Sequence, residues 1–153
     1  MISRKSLVIV GALSGLILAL GAPASAADLK SPDLVKTSLQ IFAGVYGDMN
    51  RKLAAKTYDR LPHENQEFQD GAAAMRDAIT AEPAAFKTKV ESVLQETLAA
   101  STHVADISKT HDDAQVKAAL SALADSMKKL NALFPENLRP VAVAASARGA
   151  GAR

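Results

Sequence analysis

The sequence predicts an all-α fold, an antiparallel four-helix bundle whose helices run up, down, up and down. Aromatic residues make up only 4% of the 153 residues and alanine is abundant, a composition that favours helices. Apolar residues recur at alternating intervals of four and three in four successive stretches, which places them on one face of each helix. The breaks between the stretches are short, so consecutive helices are expected to pack side by side.

Each predicted helix has a local reason to begin or end. Residues 31–33 read Ser-Pro-Asp, which supplies a capping hydroxyl, a proline for the first turn and an acid at the positive end of the helix dipole. Pro62 is predicted to end the first helix, because proline has no N–H and clashes with the preceding turn. Pro83 opens the third helix and Pro135 stops the fourth. The predicted helices are 32–60, 63–80, 83–109 and 112–134.

The predicted lengths of the first two helices are unequal. At 1.5 Å per residue the first would be about 43 Å long and the second about 27 Å. One end of the first helix would therefore be thinly covered. This mismatch predicts a candidate groove for an apolar ligand beside Phe42, Met49 and Phe68.

Three glycines fall inside predicted helices, where each costs about 1 kcal/mol relative to alanine. They are Gly44, Gly47 and Gly71. The first interpretation is close approach of neighbouring helices at these positions. The alternative is room for a ligand beside Met49.

The N-terminus has the pattern of a secretory signal peptide. Arg4 and Lys5 form a basic start, residues 7–20 are an uncharged apolar run, and residues 24–26 read Ala-Ser-Ala, a small-x-small cleavage site. The apolar run is too short for a stable membrane span. We expect a mature chain beginning at Ala27, exported to a bacterial periplasm, with no stable membrane span after cleavage.

The signal peptide changes how the charge is interpreted. Residues 1–26 hold two basic residues and no acidic one, whereas the whole chain has 18 basic and 16 acidic residues. The mature chain is therefore neutral, which argues against nucleic acid as a partner. The predicted organisation is a signal peptide at 1–26, one bundle domain at 27–140 and a disordered tail at 141–153, where side chains are small.

The stretch from Asp112 to Phe134 resembles the last helix of cytochrome c′. It reads DDAQVKAALSALADSMKKLNALF, and its AQVK also occurs in the related cytochrome b562 group. The cytochrome c′ family is periplasmic and forms an antiparallel four-helix bundle around one haem, and its last helix typically reads D-x-A-x-V-K-A-A-x-x-x-x-x-x-S-C-K-x-C-H. The matching residues are Ala114, Val116, Lys117, Ala118, Ala119, Ser126 and Lys128, and Asp113 lies one position after the aspartate of the pattern.

The haem motif of that family is replaced in this chain. Met127 and Leu130 stand where the family has its haem-attaching cysteines, and Asn131 stands where it has the iron-ligating histidine. The chain has no cysteine, which excludes disulfides and thioether-linked haem. Met127 and Leu130 instead continue the apolar stripe of the helix. The resemblance therefore implies this architecture without covalent haem, and we expect no cofactor.

No other residues form a recognisable catalytic or metal-binding pattern, so we expect neither an enzyme nor a metal site. His63 and Glu67, four residues apart on a helix, come closest to a metal pair. His103 and His111 would lie about 12 Å apart along a helix, too far to share one ion. No nucleophile motif, phosphate loop or H-E-x-x-H helix is present.

The sequence thus favours an exported, non-catalytic binding or interaction protein that holds a small apolar ligand or a periplasmic protein partner. One alternative is a cytochrome-like protein that binds haem non-covalently for electron transfer or gas sensing. Another is a structural subunit of an envelope complex, with Leu34, Ile41 and Leu98 as exposed interface residues. A homodimer is also left open.

Overall fold

The computed structural model describes residues 28–140, and within this range every regular element is helical, with no strand. The prediction of an all-α fold is confirmed. The predicted signal peptide and tail lie outside the described residues. Between residues 28 and 140 no helix combines the length and the hydropathy that a membrane crossing requires. The helices are α1 (Pro32–Ala54), α2 (Leu61–Ala78), α3 (Ala84–Ser108) and α4 (Asp113–Ala132), with 3₁₀ turns at Tyr58–Arg60 and Glu136–Leu138.

The first helix ends at Ala54, six residues before the predicted end. Lys56 adopts a left-handed conformation with φ 58°, which stops the helix. The N–H of Lys56 donates to the carbonyl of Leu53, and the N–H of Thr57 donates to that of Lys52, both at 2.9 Å. These two bonds form a Schellman motif, which satisfies the last carbonyls of α1.

The prediction that Pro62 ends the first helix is wrong. Pro62 lies in the first turn of α2, where a missing N–H leaves no hydrogen bond unmade. With 23 residues, α1 is about 34 Å long rather than 43 Å, while α2 with 18 residues is about 27 Å. The overhang of the first helix is therefore less than half of what the sequence predicted.

The helix starts differ in how they are capped. Asp112 caps α4, since its carboxylate accepts from the N–H groups of Ala114 at 2.9 Å and Gln115 at 3.0 Å. Ser31 makes no capping hydrogen bond to α1, so the prediction of a capping hydroxyl there is wrong. Pro83 immediately precedes α3, in agreement with its predicted role.

One hydrophobic core is shared by the four helices. Each helix packs against the next, and α1 also contacts α4, which is consistent with a four-helix bundle. The rings of Phe42 and Phe68 lie 4.9 Å apart between α1 and α2. Phe134 meets Phe86 edge-on at 5.8 Å. Burial of large apolar side chains such as these stabilises a chain that has no disulfide.

Candidate functional site

The three residues predicted to stand at the haem motif of cytochrome c′ lie in or beside the core. Met127 and Leu130 are buried in the hydrophobic cluster, and Asn131 is half-buried beside them. Neither a thiol for haem attachment nor an imidazole for iron is supplied by these three side chains. The residues present therefore do not fit haem at this place.

The histidines do not form a metal site. His63 Nε2 lies 3.4 Å from Glu67 Oε1, and both side chains are exposed, at 69% and 46%. Among residues 28–140 no group of three or more histidine, cysteine, aspartate or glutamate side chains is placed to hold an ion. The two residues predicted to come closest to a metal pair therefore meet at the surface, without a third ligand among residues 28–140.

The predicted apolar groove is closed. Phe42, Met49 and Phe68 are all at most 1% exposed, so the prediction of an open groove at these residues is wrong. The shorter α1 removes most of the overhang, and Gly71 lets α2 approach α1 closely. A Cβ at Gly71 would lie 3.0 Å from Ile41 Cγ2 and 3.2 Å from Phe42 Cε1.

Gly44 and Gly47 have a different environment from Gly71. A Cβ at Gly44 would meet no atom within 4 Å, and one at Gly47 would meet only Arg51 Nη1, at 3.6 Å. Close helix approach therefore explains Gly71 but not these two. They border a shallow surface depression of about 420 Å³ that Pro140 also lines.

A polar cleft lies between the C-terminal part of α2 and the N-terminal half of α3. We call it the α2–α3 cleft; it is open to solvent and has a volume of about 610 Å³. The α3 residues recur at three- and four-residue intervals, so they share one face of that helix. A short turn between the helices brings this face beside the end of α2. The cleft is lined by Arg76, Ile79, Thr80, Lys87, Thr88, Glu91, Ser92 and Gln95.

A bidentate ion pair spans the α2–α3 cleft. Arg76 donates from Nε and Nη2 to the two oxygens of Glu91, at 3.0 and 2.8 Å. The Gln95 amide donates to the same carboxylate at 3.1 Å. The hydrogen bond from Arg76 lowers the pKa of Glu91, and the same bond raises the pKa of Arg76. Glu91 is therefore a fixed carboxylate anion, and its charge is balanced within the cleft.

Some polar groups of the cleft are used locally and others remain available. The Lys87 ammonium donates to the carbonyl of Thr80 at 3.1 Å. The Thr80 hydroxyl donates to the carbonyl of Arg76 in α2, and the Thr88 hydroxyl donates to that of Ala84 in α3. Within residues 28–140, Arg76 Nη1 and the Ser92 hydroxyl make no hydrogen bond. The cleft therefore presents unused donors beside paired charges.

A second polar cluster joins the two connecting turns at one end of the molecule. We call it the turn clamp; it consists of Lys56, Tyr58, His111 and Asp113. The Lys56 ammonium lies 2.5 Å from one Asp113 oxygen, and the Tyr58 hydroxyl donates to the other. The Tyr58 ring stacks on His111 at 5.0 Å.

Two residues of the turn clamp adopt an uncommon backbone conformation. Lys56 and His111 have φ values of 58° and 55°, the left-handed region that glycine usually occupies. Hydrogen bonds from Lys56 and Tyr58 lower the pKa of Asp113, and the bond to Asp113 raises the pKa of Tyr58. Because Asp113 accepts from both Lys56 and Tyr58, the clamp links the α1–α2 turn to the start of α4.

The predicted interface residues are only partly exposed. Leu34 and Ile41 are 57% and 36% exposed and lie seven residues apart, on one face of α1. Leu98 is half-buried and packs against the core. Of the three residues predicted to form an exposed interface, only the two on α1 are exposed.

Sequence reasoning did not identify the α2–α3 cleft. Arg76 and Glu91 are 15 residues apart on different helices, and neither belongs to a motif. Their one sequence signal is position: both lie outside the apolar stripes of adjacent predicted helices joined by a short break. Comparisons with protein-family models, curated proteins and solved structures found no match for this chain. The resemblance to cytochrome c′ accordingly stays a prediction.

Proposed function

We propose that this chain is an exported, non-catalytic binding protein built on a helical bundle, and that it binds its partner molecule in the α2–α3 cleft. The observation that carries this proposal is the cleft itself, a solvent-open depression of about 610 Å³. Its size falls in the range of small-molecule sites. It combines a rigid ion pair with hydroxyl, amide and ammonium groups, which are the groups that orient a polar ligand.

The chemistry of the cleft supports binding rather than catalysis. Its eight side chains include no histidine or cysteine. Glu91 is held by Arg76 and Gln95, and its lowered pKa makes it a poor proton acceptor. Ser92 has no imidazole within the cleft to activate it. Fixed charges and hydroxyls without an activated nucleophile are typical of a recognition surface.

Export is the part of the proposal that rests on the first 26 residues. Their basic start, apolar run and Ala-Ser-Ala site follow the pattern of a cleaved signal peptide. We expect the mass of the protein recovered from its native cells to match a chain beginning at Ala27. A mass that includes residues 1–26 in the extracellular or periplasmic fraction would contradict this.

We also infer that successive helices alternate in direction. Between α1 and α2, Lys52 lies 4.0 Å from Glu64 while the earlier Phe42 contacts the later Phe68. The later residue of α1 therefore contacts the earlier residue of α2, and the earlier residue of α1 contacts the later one. This order supports an antiparallel pair. The contacts of Arg76 with Glu91 and of Asn65 with Ser101 support the same relation for α2 and α3.

Spin labels test this arrangement directly, because the chain has no cysteine of its own. With α1 and α4 antiparallel, labels at positions 36 and 129 should lie closer together than labels at 36 and 117. The reverse order of distances would contradict the inference.

The binding proposal is tested with native mass spectrometry on protein recovered from its own cells. We expect a bound small molecule on the natural chain and none on a Ser92→Trp variant, whose indole would fill the cleft. Ser121→Trp is the matched control, because Ser121 is also exposed and lies on α4. The proposal is overturned when no bound molecule is found, or when both variants retain it equally.

A further inference from the structure

We propose that the α2–α3 cleft binds the carboxylate of a small organic anion, with Lys87 and Arg76 as its cationic contacts. This inference rests on the proposed function, since it takes the cleft to be the binding surface. It assigns a chemical class to the ligand and a role to two side chains. Three properties of the cleft lead to it: charge, unused donors and an apolar floor.

The charge of the cleft favours an anion. Two cationic side chains, Arg76 and Lys87, line it together with one acidic side chain, Glu91. The acidic charge is already neutralised by the bidentate contact of Arg76 with Glu91. Within residues 28–140 the Lys87 ammonium donates to one backbone carbonyl, that of Thr80, and pairs with no carboxylate. Among the cleft side chains the uncompensated charge is therefore positive.

The unused hydrogen-bonding groups are mainly donors. Arg76 uses one N–H each from Nε and Nη2 on Glu91, which leaves three of its five N–H groups, the two of Nη1 and one of Nη2. Lys87 uses one of its three N–H groups on Thr80. The Ser92 hydroxyl adds a further donor at the same surface. Charged N–H donors beside a hydroxyl suit an oxyanion, because charge-assisted hydrogen bonds are about twice as strong as neutral ones.

The floor of the cleft favours an organic anion over an inorganic one. Ile79 lines the cleft and, being only 3% exposed, contributes a small apolar surface to it. The alkyl stems of Arg76 and Lys87 extend this surface, since long basic side chains bury their methylene groups while the charge stays in water. A carboxylate with an apolar body contacts both the donors and the floor, whereas a bare phosphate contacts only the donors.

The experiment is a titration of the ¹⁵N-labelled full chain with benzoate, acetate, inorganic phosphate and, as a cation control, tetramethylammonium. Chloride salts at matched ionic strength are used throughout, because exposed charges are screened. We expect benzoate to shift the amides of residues 76–80 and 87–95, and to bind more tightly than acetate or phosphate. Tetramethylammonium should leave those amides unchanged.

Three variants make the test specific. Lys87→Met should weaken benzoate binding by about two- to fivefold, the range for one exposed charge. Glu91→Gln should strengthen it by a similar factor, because it removes the anion that competes for Arg76. Lys89→Met is the control, since Lys89 is exposed on α3 but does not line the cleft, and it should leave binding unchanged.

The opposite effects of two neighbouring variants separate ligand contact from loss of structure, because an unfolded cleft would bind less in both. The inference is overturned when benzoate shifts no cleft amides, when phosphate binds more tightly than benzoate, or when Lys87→Met and Glu91→Gln behave like Lys89→Met. Should native mass spectrometry still find a molecule that Ser92→Trp excludes, only the ligand class is wrong. Should both experiments fail, the proposed function fails as well.

Discussion

The described helices contain glycine at Gly44, Gly47 and Gly71, and the surroundings of these residues decide what an added methyl group does. Gly44→Ala should stabilise the protein by about 0.5–1 kcal/mol, because alanine is the better helix former and no atom lies within 4 Å of the new Cβ. Gly71→Ala should destabilise it by about 1–3 kcal/mol, because the Cβ would crowd Ile41 and the buried Phe42. Urea unfolding monitored by circular dichroism measures both.

The crowding that a new Cβ would meet at Gly47 is intermediate between that at Gly44 and that at Gly71. The neighbour of Gly47 is the flexible end of Arg51 at an ordinary contact distance, so Gly47→Ala should stabilise, as at Gly44. A loss of stability at Gly44 or Gly47 equal to that at Gly71 would contradict this prediction.

Asp113 gives the turn clamp a defined pH dependence. Its pKa is lowered chiefly by the hydrogen bonds from Lys56 and Tyr58, so the ionised form is favoured in the folded state. Its contribution to stability is therefore complete above the ordinary carboxyl pKa and is lost as the pH falls through the lowered folded value. Asp113→Asn should lower the urea midpoint at pH 7, and the difference from the natural chain should vanish at strongly acidic pH.

Asp125→Asn is the control for the clamp. Asp125 pairs with Lys128 one turn away on the same helix, at 2.9 Å and with both side chains exposed, so its loss should change the midpoint little. Equal effects of the two substitutions at pH 7 would mean that the link between turns adds nothing beyond an ordinary surface pair.

At the scale of elements, the start of α4 depends on one side chain. Asp112→Ala should destabilise the first turn of α4, because the N–H groups of Ala114 and Gln115 lose their acceptor. Asp112→Asn should retain most of the stability, since an amide oxygen caps a helix about as well. Hydrogen exchange at Ala114 and Gln115 reports the effect locally, and equally fast exchange in both variants would contradict it.

Helix types and most helix starts could be predicted from the sequence, but the end of α1 could not. Periodicity identifies α1 to α4 because their apolar faces repeat at helical spacing. The end at Ala54 depends on Lys56 in the left-handed region, and lysine gives no sequence signal for that conformation. Pro62 led to a predicted end of α1 that is too late. Proline is acceptable both after a helix and in the first turn of the next one, so its presence does not distinguish the two positions.

At the scale of the whole molecule, one core joins the helices, so the described domain should unfold in a single transition. Phe42 and Phe134 are fully buried at different places in the same cluster. Phe42→Ala and Phe134→Ala should each cost about 3–5 kcal/mol and should shift one common transition. Helicity at 222 nm and tyrosine fluorescence should report coincident midpoints, whereas two separate transitions would contradict a shared core.

The candidate site depended on information that the sequence does not contain. Periodicity states which face of each helix is buried, but the pairing of outward faces depends on how the helices rotate and pack. Arg76 and Glu91 meet because the turn between α2 and α3 brings two such faces together. The predicted groove at Phe42, Met49 and Phe68 failed for the same reason, since it was based on helix lengths alone and Gly71 allows the helices to close over it.

The sequence by itself determined that this chain is helical and that Met127 and Leu130 continue an apolar stripe, and its first 26 residues carry the pattern from which export is predicted. These are properties of composition, spacing and local charge, which need no knowledge of distant neighbours. Only the tertiary structure decided that the predicted groove is closed and that a polar cleft lies between α2 and α3. Whether side chains from different helices are buried or face each other is fixed by packing, not by local sequence.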